Sequence, residues 1–239
     1  MGEFAIAPPP RPSVAVAGTA ARFPVRRVFC VGRNYAAHAR EMGKDPDREP
    51  PFFFAKPADA VVDASEGVPY PPGTSELHHE VELVVALARG GSDLPEDEVP
   101  GLLWGATVGI DLTRRDLQAE AKRAGRPWDL AKGFDRSAPL APLVPIAAVA
   151  SLESGRVWLD VNGERRQRGD LAEMIWSVAE VVSILSRSVA LAPGDLVMTG
   201  TPAGVGPVAP GDALSGGVEG VARLALSIGE PLAAKASRG

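Results

Sequence analysis

Cysteine is nearly missing from this sequence. Cys30 is the single one in 239 residues, so no intrachain disulfide framework can form. Its neighbours Val28, Phe29 and Val31 are apolar, which suits a buried strand thiol better than a nucleophile. A lone free cysteine also fits a reducing cytoplasm. Basic charge is scattered: with 25 Lys and Arg against 30 Asp and Glu, the formal net charge is −5. No basic run stands out that would follow a phosphate backbone, so nucleic acid is not an expected partner. Long apolar runs are lacking too. None reaches the length needed to cross a bilayer, and Met1-Gly2-Glu3-Phe4 has neither a positive n-region nor an unbroken apolar h-region, so the chain reads as soluble, unexported and free of membrane partners. There is no Gly-Lys-Ser/Thr for a P-loop and no Gly-x-Ser-x-Gly nucleophile elbow, so hydrolysis here would use water.

Glycine and proline, by contrast, are plentiful. The 26 glycines and 23 prolines fall between short apolar runs, the punctuation of many strands joined by turns. Hydrophobic residues make up 45% and charged residues 23%, which is enough apolar surface to fold unaided. Strands are expected at 13–17, 25–31, 60–62, 77–87, 102–110, 196–198 and 222–228, with 7–12 extended. A short helix is expected at 34–42, with Asn34 as N-cap and Gly43 at its end, and an amphipathic one at 177–185. No repeat, low-complexity tract or linker divides the chain. The expectation is therefore one strand-rich α+β domain over 1–239, with 1–24 as an N-terminal extension packed on it.

The chemistry concentrates in His78-His79-Glu80-Val81-Glu82-Leu83. On a strand, Glu80 and Glu82 share a face opposite Val81 and Leu83. Two adjacent carboxylates beside an apolar run are costly unless a cation neutralises them, and oxygen-only ligands suit a hard ion: Mg²⁺ or Mn²⁺, with Ca²⁺ also compatible. By itself the pair suits a solvated strand edge at least as well. Asp111 ends the apolar run 106–110, where a strand delivers side chains to its tip, although it would serve equally as an N-cap for 112–121. His38 and Glu41 lie three apart on the expected helix, so the carboxylate could orient the imidazole as a base, or the two could be an exposed pair. Lys132 follows an aromatic and aliphatic run and could put a positive charge near a developing oxyanion, although surface lysines are commoner.

Six blocks occur in order: Cys30-Val31-Gly32-Arg33-Asn34-Tyr35 with His38 and Glu41 behind it; Phe54-Ala55-Lys56-Pro57; His79-Glu80-Val81-Glu82; 109–118 from Gly109-Ile110-Asp111 to Leu117-Gln118; Trp128-Asp129-Leu130-Ala131-Lys132; and 199–206 from Thr199-Gly200-Thr201 to Val205-Gly206. Together they resemble the fumarylacetoacetate hydrolase family from about Val25 onward. The resemblance implies a roll of mixed β-sheets with a few short helices, commonly homodimeric, with a divalent metal on Glu80, Glu82 and Asp111. It further implies a His38–Glu41 dyad on a lid, an active-site Lys132, and a pocket lined by Arg33, Gln118 and Thr201. The activity implied is hydrolysis of a carbon–carbon bond in a small 2-oxo acid, an acylpyruvate with fumarylpyruvate as first candidate. The same machinery would serve oxaloacetate decarboxylation or isomerisation of a 2-oxo dienoate. A metal-binding scaffold without activity is the alternative from another class.

Overall fold

The computed structural model describes residues 4–36 and 49–232. Its centre is an eight-stranded mixed sheet, whose path runs Phe52–Lys56, Arg27–Gly32, Asp195–Met198, Val81–Leu87, Leu103–Ile110, Ala138–Leu140, Val61–Asp63, with Val144–Pro145 pairing beside it on Leu103–Ile110. Arg27–Gly32 and Asp195–Met198 are parallel, and Val81–Leu87 is antiparallel to both of its neighbours. A five-stranded sheet (Glu164–Asp170, Arg156–Val161, Ala213–Val218, Ala222–Gly229, Val68–Pro69) packs over the central strands, and a three-stranded one joins Thr113–Arg114, Leu77–His79 and Gly206–Val208. The α+β, strand-rich class is what the sequence predicts.

Every residue of Val81–Leu87 is buried because the strand is covered on both faces. Its pleat sends Val81, Leu83, Val85 and Leu87 into the core shared with Val157, Leu159, Leu224 and Leu226 of the five-stranded sheet. Val84 and Ala86 point the other way, into a second core with Val14, Val16, Phe23 and Cys30. A continuous apolar run is how a doubly covered strand reads in sequence. The second core is closed by the hairpin Ser13–Ala15 with Arg22–Pro24, shorter than the expected strand 13–17, and Val16 continues it by pairing with Leu143.

Among the described residues helices are few and short. Val178–Ser186 starts in a capping box: Ser177 Oγ accepts from Glu180 N at 3.2 Å, and Glu180 Oε2 accepts from Ser177 N at 2.9 Å. Arg115–Ala124 ends on Gly125 in the left-handed conformation, and Asp129–Lys132 is a single turn. Among the described residues no helix is long and apolar enough to cross a membrane. The expected helix 34–42 falls mostly outside the described residues, but its proposed cap is corrected. Asn34 is buried, and its Nδ2 donates to the carbonyls of Trp176 and Thr199, both at 2.8 Å, while its Oδ1 accepts from Trp176 N at 2.8 Å. The amide is used to tie two distant loops together, so it is not available to cap a helix.

Candidate active site

The expected strand 77–87 is broken at Glu80, which separates Leu77–His79 from Val81–Leu87. The break turns the chain from the three-stranded sheet into the central one. Glu82 stays on the strand, in register with Gly109, and Val81 pairs with Ile110. One step further, Asp111 N donates to Glu80 O at 2.8 Å, so antiparallel register carries Asp111 alongside the break. Carboxylate oxygens of Glu80, Glu82 and Asp111 lie within 4.8 Å of one another, all three buried. The N-cap role open to Asp111 is not the one used, because the next helix begins at Arg115 with Arg114 before it.

Two lysines and an arginine surround these acids. Lys132, buried at the end of its single turn, bridges two of them: Nζ lies 2.8 Å from Glu80 Oε2 and 2.7 Å from Asp111 Oδ2. Lys56 Nζ lies 2.8 Å from Asp111 Oδ1 and donates to the carbonyls of Leu112 and Lys132. Arg115 donates from Nη2 to Glu80 Oε1 at 2.5 Å, from Nη1 to Gln118 Oε1 at 2.5 Å and from Nε to His78 Nδ1 at 3.3 Å. Burial alone would pull the Lys132 ammonium down, but Asp111 and Glu80 outweigh it and hold it above the ordinary lysine range, so it stays charged. Lys56 and Arg115 were given no role by sequence reading; the available signal was a lysine ending the apolar run Phe52-Phe53-Phe54-Ala55.

Glu82 is treated differently. It is 2% exposed and takes one hydrogen bond, from Gly200 N to Oε2 at 2.8 Å, with no cation in salt-bridge contact among the described residues. That donor needs glycine: Gly200 has φ 99°, and a Cβ there would meet Asn34 Cβ at 2.7 Å. Burial raises the Glu82 carboxyl well above its ordinary range, and Asp111 and Glu80 raise it further. Asp111 Oδ1, buried, makes no hydrogen bond among the described residues, its approach to Lys56 being an ion pair without hydrogen-bond alignment. A carboxylate with no cation partner and an acceptor oxygen with no donor, in an all-oxygen cluster, fit a hard divalent cation.

The cleft over the cluster is lined by Glu80, Glu82 and Lys132 together with Arg33, Gln118 and Thr201. Thr201 donates to Val81 O at 2.8 Å and accepts from Gln167 Nε2 at 2.8 Å. Gln167, buried in the mostly charged strand Glu164–Asp170, also accepts from Val81 N at 3.0 Å and from His79 Nδ1 at 2.8 Å. Burial lowers the His79 pKa despite that bond, so the ring is neutral with its proton on Nδ1. Gln167 was missed by sequence reading, and its one signal is being the uncharged side chain between Arg166 and Arg168. His38 and Glu41 lie outside the described residues.

The family model for the C-terminal region of fumarylacetoacetate hydrolase matches residues 27–228. The chain belongs to the fumarylacetoacetate hydrolase family. It is similar to a fumarylpyruvate hydrolase of Ralstonia sp., 41% identical over 190 residues, 79% of this chain and 98% of that one. It is 37% identical over 206 residues, 86% of this chain and 93% of that one, to the mitochondrial oxaloacetate tautomerase FAHD1 of Homo sapiens. The crystal structure of fumarylpyruvate hydrolase from Pseudomonas aeruginosa in complex with Mn²⁺ and pyruvate superposes with a TM-score of 0.92 at 50% identity, covering 95% of this chain and all of that one.

Proposed function

We propose that the chain is a divalent-metal-dependent hydrolase that cleaves an acylpyruvate, with fumarylpyruvate as the first substrate to test, into pyruvate and a carboxylic acid. The observation that carries the reading is the buried cluster of Glu80, Glu82 and Asp111, bridged by Lys132, in a chain 50% identical to an enzyme crystallised with Mn²⁺ and pyruvate. Glu80, Glu82 and Asp111 would hold the cation. When bound, it would polarise the 2-oxo group and help offset the negative charge left on the pyruvyl fragment.

The remaining work belongs to side chains. Lys132 presents an ammonium, kept charged by Asp111 and Glu80, to the developing oxyanion. Arg115 holds Glu80 and Gln118 together, leaving the Gln118 Nε2 hydrogens unbonded among the described residues for a substrate carboxylate. Thr201, locked by Gln167, closes the wall beside Glu82 and limits how the 2-oxo acid can rotate. His38, oriented by Glu41, takes the proton of the water that attacks the distal carbonyl, after which the bond to the pyruvyl carbon breaks. Mg²⁺ or Mn²⁺ as the physiological ion, a single catalytic domain, a homodimer in the cytoplasm and a place in aromatic ring breakdown complete the proposal; family resemblance and composition support them.

A second reading is favoured by the oxaloacetate tautomerase relatives: proton transfer on a 2-oxo dicarboxylate at the same site, with no attacking water. The deciding experiment measures pyruvate release from fumarylpyruvate and acetylpyruvate, and keto–enol exchange of oxaloacetate, with Mn²⁺, Mg²⁺ or chelator. Metal-dependent pyruvate release that His38→Ala abolishes is the expected result. Metal-loaded protein that releases no pyruvate yet tautomerises oxaloacetate would replace hydrolysis by the second reading.

A further inference from the structure

Positive charge in the cleft is of two kinds. Arg115 and Lys132 are spent on Glu80 and Asp111, whereas Arg33 and Lys122, which line the same cleft, have no carboxylate partner among the described residues. Aromatic faces support these two instead. The Arg33 guanidinium lies 5.2 Å from the Phe52 ring centroid, and Lys122 Nζ lies 5.1 Å from that of Trp128. The two rings meet edge to face at 5.4 Å, so the four side chains form a bracket with a cation at each end. A ring face attracts a cation through its quadrupole without neutralising it, so both charges remain available to a ligand.

The bracket is built at some local cost. Arg33 holds φ 60°, a left-handed backbone unusual for a residue with a side chain, and such strain persists where the surroundings impose it. Gly32 is required beside it, because a Cβ there would fall 2.0 Å from Phe52 Cζ and displace the ring that carries the guanidinium. Desolvation, then Arg115 and Arg33, bring the Lys122 ammonium down to about 8, with Glu80 opposing them from a distance.

On the acylpyruvate reading, we propose that Arg33 and Lys122 form a second anion subsite that receives a carboxylate at the far end of the acyl group, so that the site selects dianionic acylpyruvates over those ending in a methyl group. The end nearer the cluster takes the 2-oxo acid moiety, and Phe52 and Trp128 offer apolar faces to the carbons between the two charged ends. Lys122 is thereby a specificity-determining residue that sequence motifs alone do not single out.

The test has a binding arm and a turnover arm. Calorimetry on the Mn²⁺-loaded protein compares 2-oxoadipate with 2-oxohexanoate, which differ only in carboxylate against methyl at the far end. The native protein is expected to bind the dianion about ten- to hundredfold tighter, the range of a charge-assisted contact. Lys122→Met should erase most of that ratio and Lys122→Arg should keep it. In turnover, Lys122→Met should raise KM for fumarylpyruvate while kcat changes little, and the fumarylpyruvate-to-acetylpyruvate ratio of kcat/KM should collapse. Equal binding of both oxo acids by the native protein, or a Lys122→Met variant that weakens both by the same factor, overturns the subsite. Equal cleavage of both acylpyruvates removes the subsite and keeps the hydrolase. A dianion preference without pyruvate release keeps the subsite and removes the hydrolase.

Discussion

The two ends of the cleft handle charge in opposite ways. At the inner end Glu80 and Asp111 are buried and each is met by two cations within 2.8 Å, while Glu82, also buried, has none among the described residues. At the outer end two cations rest on aromatic rings, with no carboxylate in salt-bridge contact among the described residues. Buried charges that are paired and hydrogen-bonded hold one geometry, because separating them in a low-dielectric interior is expensive. Cations on ring faces keep their charge and can accept an anion with little rearrangement. The inner end is thus built to fix a cation and a reacting group, and the outer end to read the ligand.

That contrast is broken most severely by Asp111→Asn. Neutralising the acid shared by Lys56 and Lys132 should abolish Mn²⁺ binding in a direct titration and lower pyruvate release by about a thousandfold or more. It should also cost on the order of 3–5 kcal/mol of stability, since two ammonium groups lose their shared partner. Retained Mn²⁺ affinity would remove Asp111 from the ligand set.

Lys132→Met separates chemistry from binding. kcat should fall by about a hundredfold. Mn²⁺ affinity should hold or rise, because the carboxylates lose a competing cation; a parallel loss of affinity would make Lys132 a structural tie only.

Glu82→Gln gives a smaller effect with a defined pH sense. The folded Glu82 pKa lies above the unfolded value near 4.5, so the proton stabilises the fold. That stability is complete below about pH 4.5 and is lost as pH rises through the folded pKa. Metal-free Glu82→Gln, which cannot ionise, should therefore gain in melting temperature relative to the native protein as pH rises above the unfolded value near 4.5. Saturating Mn²⁺ should reverse the order, since the native protein alone then holds three carboxylate ligands. At the outer end, Trp128→Leu should weaken the proposed dianion preference by only about two- to fivefold, the value of one exposed cation–ring contact, with Mn²⁺ affinity unchanged.

Much of the inner end was legible from sequence, and the reason is local. Val81–Leu87 and Leu103–Ile110 are continuous apolar runs, so a carboxylate within or just beyond either run stands out. The helix Val178–Ser186 announces itself through Ser177 and Glu180. Glu164–Asp170 did not read as a strand: five of its seven residues are charged, and it is an edge strand whose ladder bonds go to Arg156–Val161. Gln167 went unread with it, since its four partners lie on other segments. Asn34 was misassigned because a buried amide clamp and a helix cap look alike until the partners are known.

From the sequence alone one can determine the strand-rich α+β class, the family blocks and the acids to watch, because pleat period, turn chemistry and motif order are properties of neighbouring residues. Only the tertiary structure decided which cations meet which acids, that Glu82 is left without one among the described residues, and that Arg33 and Lys122 stand over rings. Those facts depend on register between strands far apart in the chain, and on how much water burial removes from each charge.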